Sequence, residues 1–408
     1  MNTGTAAARG AVPGLGIVQC VYWGVLYYTF AVVLVPMQSD LGASPPQLAG
    51  AFTLGLALSA LLATAVGRAL DRGLGARLVP TGGWLAALLL WAWSEVQSLS
   101  ALYTVWAGLG ACMAMVLYES AFALVTRAIA EPAARLSALA QVTVLGGLAS
   151  TVFLPLVGSG VDLLGWRDTL KLLLGPWVLA TAWLQWRVLP GLLAPAARGQ
   201  AAAGGSTNRV HAHLRVGATW RLVLPFAGAT FAAMAVTTLL VPVLVQRGTS
   251  VATAATVLAA FGLAQLPGRL WMWRGARRLP SMHALLLIPL LLQAAGLLLL
   301  TLASGLIVVA LAVALFGLGA GLHTLVRPWL VPALVGAARA GVVNGGIARA
   351  QGVARAAGPL LAAAALSSIG GAMTFFVLAC GMLLLSPFAA STARLAAQRE
   401  LELSSELD

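Results

Sequence analysis

The sequence predicts an all-α membrane protein of twelve transmembrane helices, arranged as two pseudo-symmetric six-helix halves. Three observations carry this. The 408-residue chain is 60% hydrophobic and only 9% charged, with a mean hydropathy of +0.94, too little polar surface for a water-soluble protein of that length. Apolar runs of about 20 residues, the length that crosses a hydrocarbon core, recur from end to end. Landmarks of the first half return in order in the second. Gly67 to Arg77 is echoed by Gly268 to Arg278, Gly108-Leu109-Gly110-Ala111 by Gly317-Leu318-Gly319-Ala320, and Arg135 with Pro155 by Arg339 with Pro359.

Gly, Pro and charge punctuate the runs. The first span, 14–36, follows a short Gly/Ala-rich head without a small-residue cleavage site, and is expected to be retained and not removed as a signal peptide. The second, 48–67, ends at Gly67-Arg68; the third, 78–98, follows Arg77; the fourth, 101–126, stops before Arg127. The fifth, 135–159, opens at Arg135, and the sixth, 169–189, closes at Pro190. The longest polar interval follows, with Gly204-Gly205-Ser206 and His211-Ala212-His213, read as a solvated linker and not as a metal site. The remaining spans are 219–245, 251–272, 282–303, 306–334, 342–366 and 371–391. The expected organisation is a first half 1–190, a cytoplasmic linker 191–218, a second half 219–393 and a cytoplasmic tail 394–408.

Several function classes fall away. The net charge of +13 comes from short Arg clusters between apolar runs, not from a basic stripe with interleaved aromatics, so nucleic acid is not an expected partner. Cys20, Cys112 and Cys380 lie inside apolar runs without paired or metal-like spacing. No metal or other cofactor is expected. Neither a P-loop nor a nucleophile–base pair is present, which argues against ATP coupling and against an enzyme. Most of the 24 Lys and Arg fall on the side that holds both termini, while Arg167, Lys171 and Arg247 fall on the other. The positive-inside rule makes the first side cytoplasmic, as in a bacterial cytoplasmic (inner) membrane.

The stretch after the second span resembles the loop signature of the major facilitator superfamily, Gly-x-x-x-Asp-Arg-x-Gly-x-Arg-Arg. Gly67, Asp71, Arg72, Gly75 and Arg77 match, with one extra residue before Gly75. The resemblance implies the twelve-helix major facilitator fold over the whole chain, and assigns Asp71, Arg72 and Arg68 to a cytoplasmic gate. In the second copy Met272 stands at the Asp position. Tyr28 to Pro36 running into Leu41-Gly42-Ala43-Ser44, Gln47 to Phe52, Phe153-Leu154-Pro155 and Leu164 to Arg167 are similar to the monocarboxylate transporter and oxalate:formate antiporter branch. That likeness implies a small organic anion as solute.

Charges inside a membrane are expensive unless they face water or a partner, so they are the site candidates. Glu119 lies eight residues before Arg127, near mid-membrane, and is the candidate proton carrier. Aligning Gly108 with Gly317 sets Tyr118 opposite Arg327 and puts Glu119 and Arg327 at similar depth. Gln265 and Arg269, one turn apart, share a face and resemble the acid and Arg of animal monocarboxylate carriers, with Gln in place of the acid. Arg349 and Arg355 sit well inside the eleventh span, where the oxalate:formate branch has a basic residue contacting a carboxylate. A guanidinium fork suits a carboxylate. His323, one turn before Arg327, is a second relay candidate, and Tyr22, Trp106 and Tyr118 are candidate cavity residues. Trp91, Trp93, Trp166, Trp183 and Trp186 are read as an interfacial belt.

Together these point to a monomeric secondary transporter that moves a small organic anion across the bilayer by alternating access, coupled to protons in symport, with a proton-driven exporter of drug-like or amphipathic metabolites as the alternative. Introduced cysteines test the topology. Those at Ser44, Ser98 and Thr249 are expected to react with an impermeant thiol reagent from outside the cell, and those at Ala76 and Gly205 are not; the reverse pattern overturns the twelve-span scheme.

Overall fold

With no water in the hydrocarbon to bond free peptide groups, a spanning chain must satisfy them within itself, and this one does so with helices. The computed structural model describes the backbone of residues 3–193, 216–273, 282–335 and 337–405; the side chains at 3–6, 132–133, 216–220, 268–273, 282–283, 285, 324–330, 332–335, 337–342 and 392–405 are outside the description. The first span is Thr3–Trp23, a π-helical turn Gly24–Tyr28 and Thr29–Leu41; the second is Pro45–Asp71 and the third Gly75–Ser94. The fourth is broken into Leu99–Val116 and Tyr118–Ala128, and the fifth into Pro132–Gly147 and Ala149–Leu164. The sixth joins Trp166–Trp183, a second π-helical turn Leu184–Val188 and Leu189–Leu193. The second half holds Val216–Gln246, Val251–Trp273, Met282–Leu302 and Leu306–Val335. The last two spans form one run, Ala337–Ser405, bent at Gly370, where φ is 77°.

Among the described residues seven helical stretches are long and apolar enough to cross a membrane, and one of them, Val343–Ser391, holds both final spans; Val251–Pro267 and Leu286–Leu302 are shorter apolar helices. The third and sixth spans are rich in Trp, which lowers their hydropathy. The linker expected at 191–218, with His211 and His213, lies almost wholly outside the described residues.

The two halves repeat the same pairings. The second span packs on the fourth as the eighth does on the tenth. Gly14 of the first meets Trp183 and Val188 of the sixth, as Gly228 of the seventh meets Leu385 of the twelfth. Gly16 meets Leu145 of the fifth, as Gly358 of the eleventh meets Met234 of the seventh. Close approach requires glycine at two of these crossings: a Cβ at Gly110 stands 2.2 Å from the Gly55 carbonyl oxygen, and one at Gly317 stands 2.5 Å from that of Phe261.

These contacts correct the register of the repeat. Gly108 faces Leu89 of the third span and Gly110 faces the second; Gly319 faces Pro289 of the ninth and Gly321 faces Gln265 of the eighth. Gly317 also faces the eighth span, against Phe261, and the fourth and tenth spans open at Leu99 and Leu306, so the structural partner of Gly110 is Gly317, two residues short of the sequence echo. In this register Arg327 corresponds to Ser120, not Tyr118.

The halves touch along the second and eleventh, fifth and eighth, and first and seventh spans. At the end bearing the Gly42 and Gly248 turns, Gly158 packs on Val251, Ala252 and Ala255, and Asp162 Oδ2 accepts a hydrogen bond from Ala252 N at 3.0 Å. That N–H belongs to the first turn of the eighth span, whose dipole favours an anion. At the same end Arg167 clamps the first half: Nη1 and Nη2 donate to the Ser94 and Val96 carbonyls at 2.7 Å each, and Nη2 lies 2.8 Å from Asp40 Oδ2. Lys171 Nζ sits 2.9 Å from Glu95 and holds that carboxyl below its usual range. Two belt residues change role. Trp93 is fully buried and Trp166 nearly so, its indole N–H bonded to Asp40, whereas Trp91, Trp183 and Trp186 remain exposed.

The Gly110 crossing yields a stability test. Gly110→Ala drives a Cβ into backbone and is expected to cost about 1–3 kcal/mol with a lower melting temperature. Gly175→Ala, on an exposed position with open space around it, is expected to leave the melting temperature unchanged or raise it, since Ala is the better helix former by about 1 kcal/mol.

Candidate functional site

A break without Pro or Gly builds the site. Leu117 leaves the helix at ψ −167°, so carbonyls of the preceding turn lose their normal partners. Two side chains replace them: Ser120 Oγ donates to Ala114 O at 2.8 Å, and Gln19 Nε2 donates to Val116 O at 2.7 Å. Both are almost completely buried. A new helix starts at Tyr118, and Glu119 falls in its first turn, where the partial positive charge of the helix end favours a carboxylate.

Glu119 is paired across the two halves. Its Oε1 lies 3.7 Å from Nη1 of Arg355 on the eleventh span, with side-chain exposures of 57% and 38%. At 3.7 Å the contact is an ion pair but falls short of a hydrogen bond. Such exposure near the middle of spans that meet at the seam means that the charges face an aqueous space between the halves, since lipid contact is prohibitive for either.

Aromatic rings flank this pair. Trp23 lies 4.9 Å from Tyr118 and 5.2 Å from Tyr27, and Tyr118 stacks on Phe122 at 5.1 Å. Tyr27 belongs to the π-helical turn, which starts where Gly24 presses on Phe153; π-turns inside α-helices often mark functional positions. The Tyr27 hydroxyl donates to the Met234 thioether of the seventh span, with Arg355 and Thr237 close by. Gln351, one turn before Arg355, donates to Thr230 Oγ1 at 3.0 Å and ties the eleventh span to the seventh.

The other sequence candidates separate. Tyr22 is not a cavity residue: it is fully buried, stacked on Trp177 at 4.3 Å with its hydroxyl 3.0 Å from Thr181, so helix rotation turns it into the first half. Trp106 is likewise core, packed edge-on against Phe30, Phe52 and Trp93. Gln265 is buried against Gly321 and donates to the Phe261 carbonyl. His323 is buried beside the Phe226 ring, and neither nitrogen has a partner among the described residues. Arg349 is exposed and about 120° around the helix from Arg355. The side chains of Arg269 and Arg327 lie outside the described residues. Arg68 and Arg72 are exposed, and Asp71 pairs with Arg127 of its own half at 4.0 Å, Arg127 also donating to the Asp71 carbonyl at 2.7 Å. Gln19, Trp23 and Met234 escaped the sequence reading; a Gln inside the first span was the one available signal. A separate groove of about 350 Å³ between the eighth and tenth spans, lined by Ala252, Thr256, Val257 and Leu306, contains no charge. Among the described residues no three His, Cys, Asp or Glu side chains converge as metal ligands.

A sequence profile of the Major Facilitator Superfamily matches residues 15–359. No curated protein matches the chain. Many solved structures share its fold, among them three transporters. A bacterial homologue of the human lysosomal transporter Spinster, inward-facing and occupied, is 15% identical with a TM-score of 0.71, covering 98% of each chain. A peptide transporter POT in complex with alafosfalin is 16% identical with a TM-score of 0.73, covering 97% of this chain and 99% of the other. The nucleoside transporter NupG is 12% identical with a TM-score of 0.69, covering 96% and 99%.

The exposure of the Glu119–Arg355 pair sets an energetic expectation. A double-mutant cycle of Glu119→Gln and Arg355→Gln, read by chemical or thermal unfolding, is expected to give a coupling of about 1 kcal/mol or less. A coupling of about 3–5 kcal/mol, typical of a broken buried pair, assigns it a structural role instead.

Proposed function

The chain belongs to the Major Facilitator Superfamily and is a membrane transporter of that type; on that premise we propose that it carries a small organic anion by alternating access, coupled to protons. The observation that carries the reading is the Glu119–Arg355 pair across the seam. When Glu119 is ionised it occupies the guanidinium. When it takes a proton its claim on Arg355 falls, and the guanidinium is free for a solute carboxylate, which it can hold with two charge-assisted hydrogen bonds. Proton and anion then bind together, and the neutralised site can rock between the two faces without an uncompensated charge in the seam. The positive end of the Tyr118–Ala128 helix supports an anion on the same side.

Tyr118 lines the site beside Glu119, and Arg349, Arg269, Arg327 and Gln265 are proposed as further contributors from the second half, with His323 as the second proton candidate. Asp71, Arg72 and Arg68 are proposed as the cytoplasmic gate, braced in this state by Arg127. The carrier works as a monomer in a bacterial cytoplasmic membrane, with both termini cytoplasmic. Partly exposed Trp23 and Phe122 beside an acidic residue favour the second reading, export of an amphipathic or cationic metabolite, and Arg355 separates the two.

In proteoliposomes, Glu119→Gln is expected to abolish accumulation driven by a pH gradient while leaving downhill exchange, because the amide mimics the protonated acid. Full gradient-driven uptake by that variant moves the coupling proton elsewhere. Arg355→Gln is expected to weaken carboxylate binding by about 1.5–3 kcal/mol, and Arg355→Lys to rescue poorly because a point charge lacks the fork. Unchanged affinity in Arg355→Gln favours the exporter.

A further inference from the structure

The chain contains two aromatic groupings that differ in what covers them. Phe30, Trp93 and Trp106 are wholly enclosed, with Phe52 3% exposed, and their ring contacts of 4.5–6.3 Å are those of a packed core. Tyr27 contacts Phe52 at 5.5 Å, and from there the rings continue through Trp23 and Tyr118 to Phe122, which are less fully enclosed. Trp23, Tyr118 and Phe122 are each only half-buried. Core packing does not account for ring surface left open at this depth.

The open part of the series runs along the seam. Tyr27 at one end bonds to Met234 of the opposite half, and Glu119, adjacent to Tyr118, reaches Arg355 of the opposite half. The open ring surface therefore lies along the same seam as the guanidinium. Across it stands Met234, whose flexible, polarisable thioether adapts to flat apolar partners. Water against ring faces is unfavourable, and a solute that covers them while giving its charge to Arg355 relieves both deficits at once.

We propose that the solute is an aromatic monocarboxylate, its carboxylate held by Arg355 and its ring laid against Trp23, Tyr118 and Phe122. This rests on the anion reading of the same site and narrows it. Trp23 and Phe122 then set specificity, while Arg355 sets charge.

The test is equilibrium binding to the purified full chain with four probes: phenylacetate, cyclohexylacetate, hexanoate and phenethylamine. Phenylacetate is expected to bind roughly tenfold more tightly than hexanoate, the margin of a good ring–ring contact, with cyclohexylacetate between them. Trp23→Leu and, separately, Phe122→Leu are expected to bring phenylacetate to within about threefold of hexanoate and leave hexanoate unchanged. Arg355→Gln weakens all three acids alike. Equal affinity of phenylacetate and hexanoate, with both still dependent on Arg355, overturns the aromatic assignment and leaves the anion reading standing. A ring preference that survives in both Leu variants also overturns it, as does loss of hexanoate together with phenylacetate in a variant whose melting temperature matches the parent's. Tight phenethylamine binding indifferent to Arg355, or no binding of any acid, overturns both.

Discussion

In a bilayer every peptide N–H and C=O of a spanning segment has to find its partner inside the protein, and the candidate site of this chain is where that requirement is met irregularly. The fourth span leaves the helix at Leu117, and the freed carbonyls of Ala114 and Val116 are taken by Ser120 and Gln19. Each unmet group costs several kcal/mol in hydrocarbon, so these two side chains are what allow the break to exist. The break in turn gives Glu119 a helix start at mid-depth, a favourable place for an ionised carboxylate.

Glu119 and Arg355 belong to different halves, and their pairing links local charge to global shape. A contact of 3.7 Å between two half-exposed groups is weak enough to be displaced by a proton or a competing carboxylate. Apart from the bond of Tyr27 to Met234, the other contacts across the seam are of another kind. Gly158 against Ala252 and Ala255, and Gly262 against Ser150, bring backbones together without interlocking side chains, a surface along which helices can tilt. Asp162 on the first turn of the eighth span is polar and electrostatic, and can break without leaving a cavity.

The aromatic residues illustrate how one residue type serves two ends. Trp93 and Trp106 fill the first half, and Trp177 stacks on Tyr22 while its N–H meets the Gly83 carbonyl. Trp23 and Phe122, of the same chemistry, are left half-covered at the seam. Which role a ring takes depends on the rotation of its helix and not on its place in the sequence.

The number of crossings, the two-fold repeat and the family resemblance were legible in the chain itself, because hydropathy reports how long a segment can stay in lipid and Arg clusters mark where it leaves. Glu119 and Arg355 also stood out, being charged where charge is costly. Their pairing with each other was not legible: the repeat sets Glu119 at the depth of Arg327 on the equivalent helix, and nothing in it points to the eleventh span. Tyr22, Trp93 and Trp106 were misplaced for a related reason. Lipid and protein interior are both apolar, so a spanning helix carries little amphipathic pattern from which its rotation can be read. The break at Leu117 was hidden as well, since no Pro or Gly marks it and the hydrogen bond that stabilises it from Gln19 arrives from 97 positions away. Only the packed helices bring that donor to the break, and with it the carboxylate to the seam.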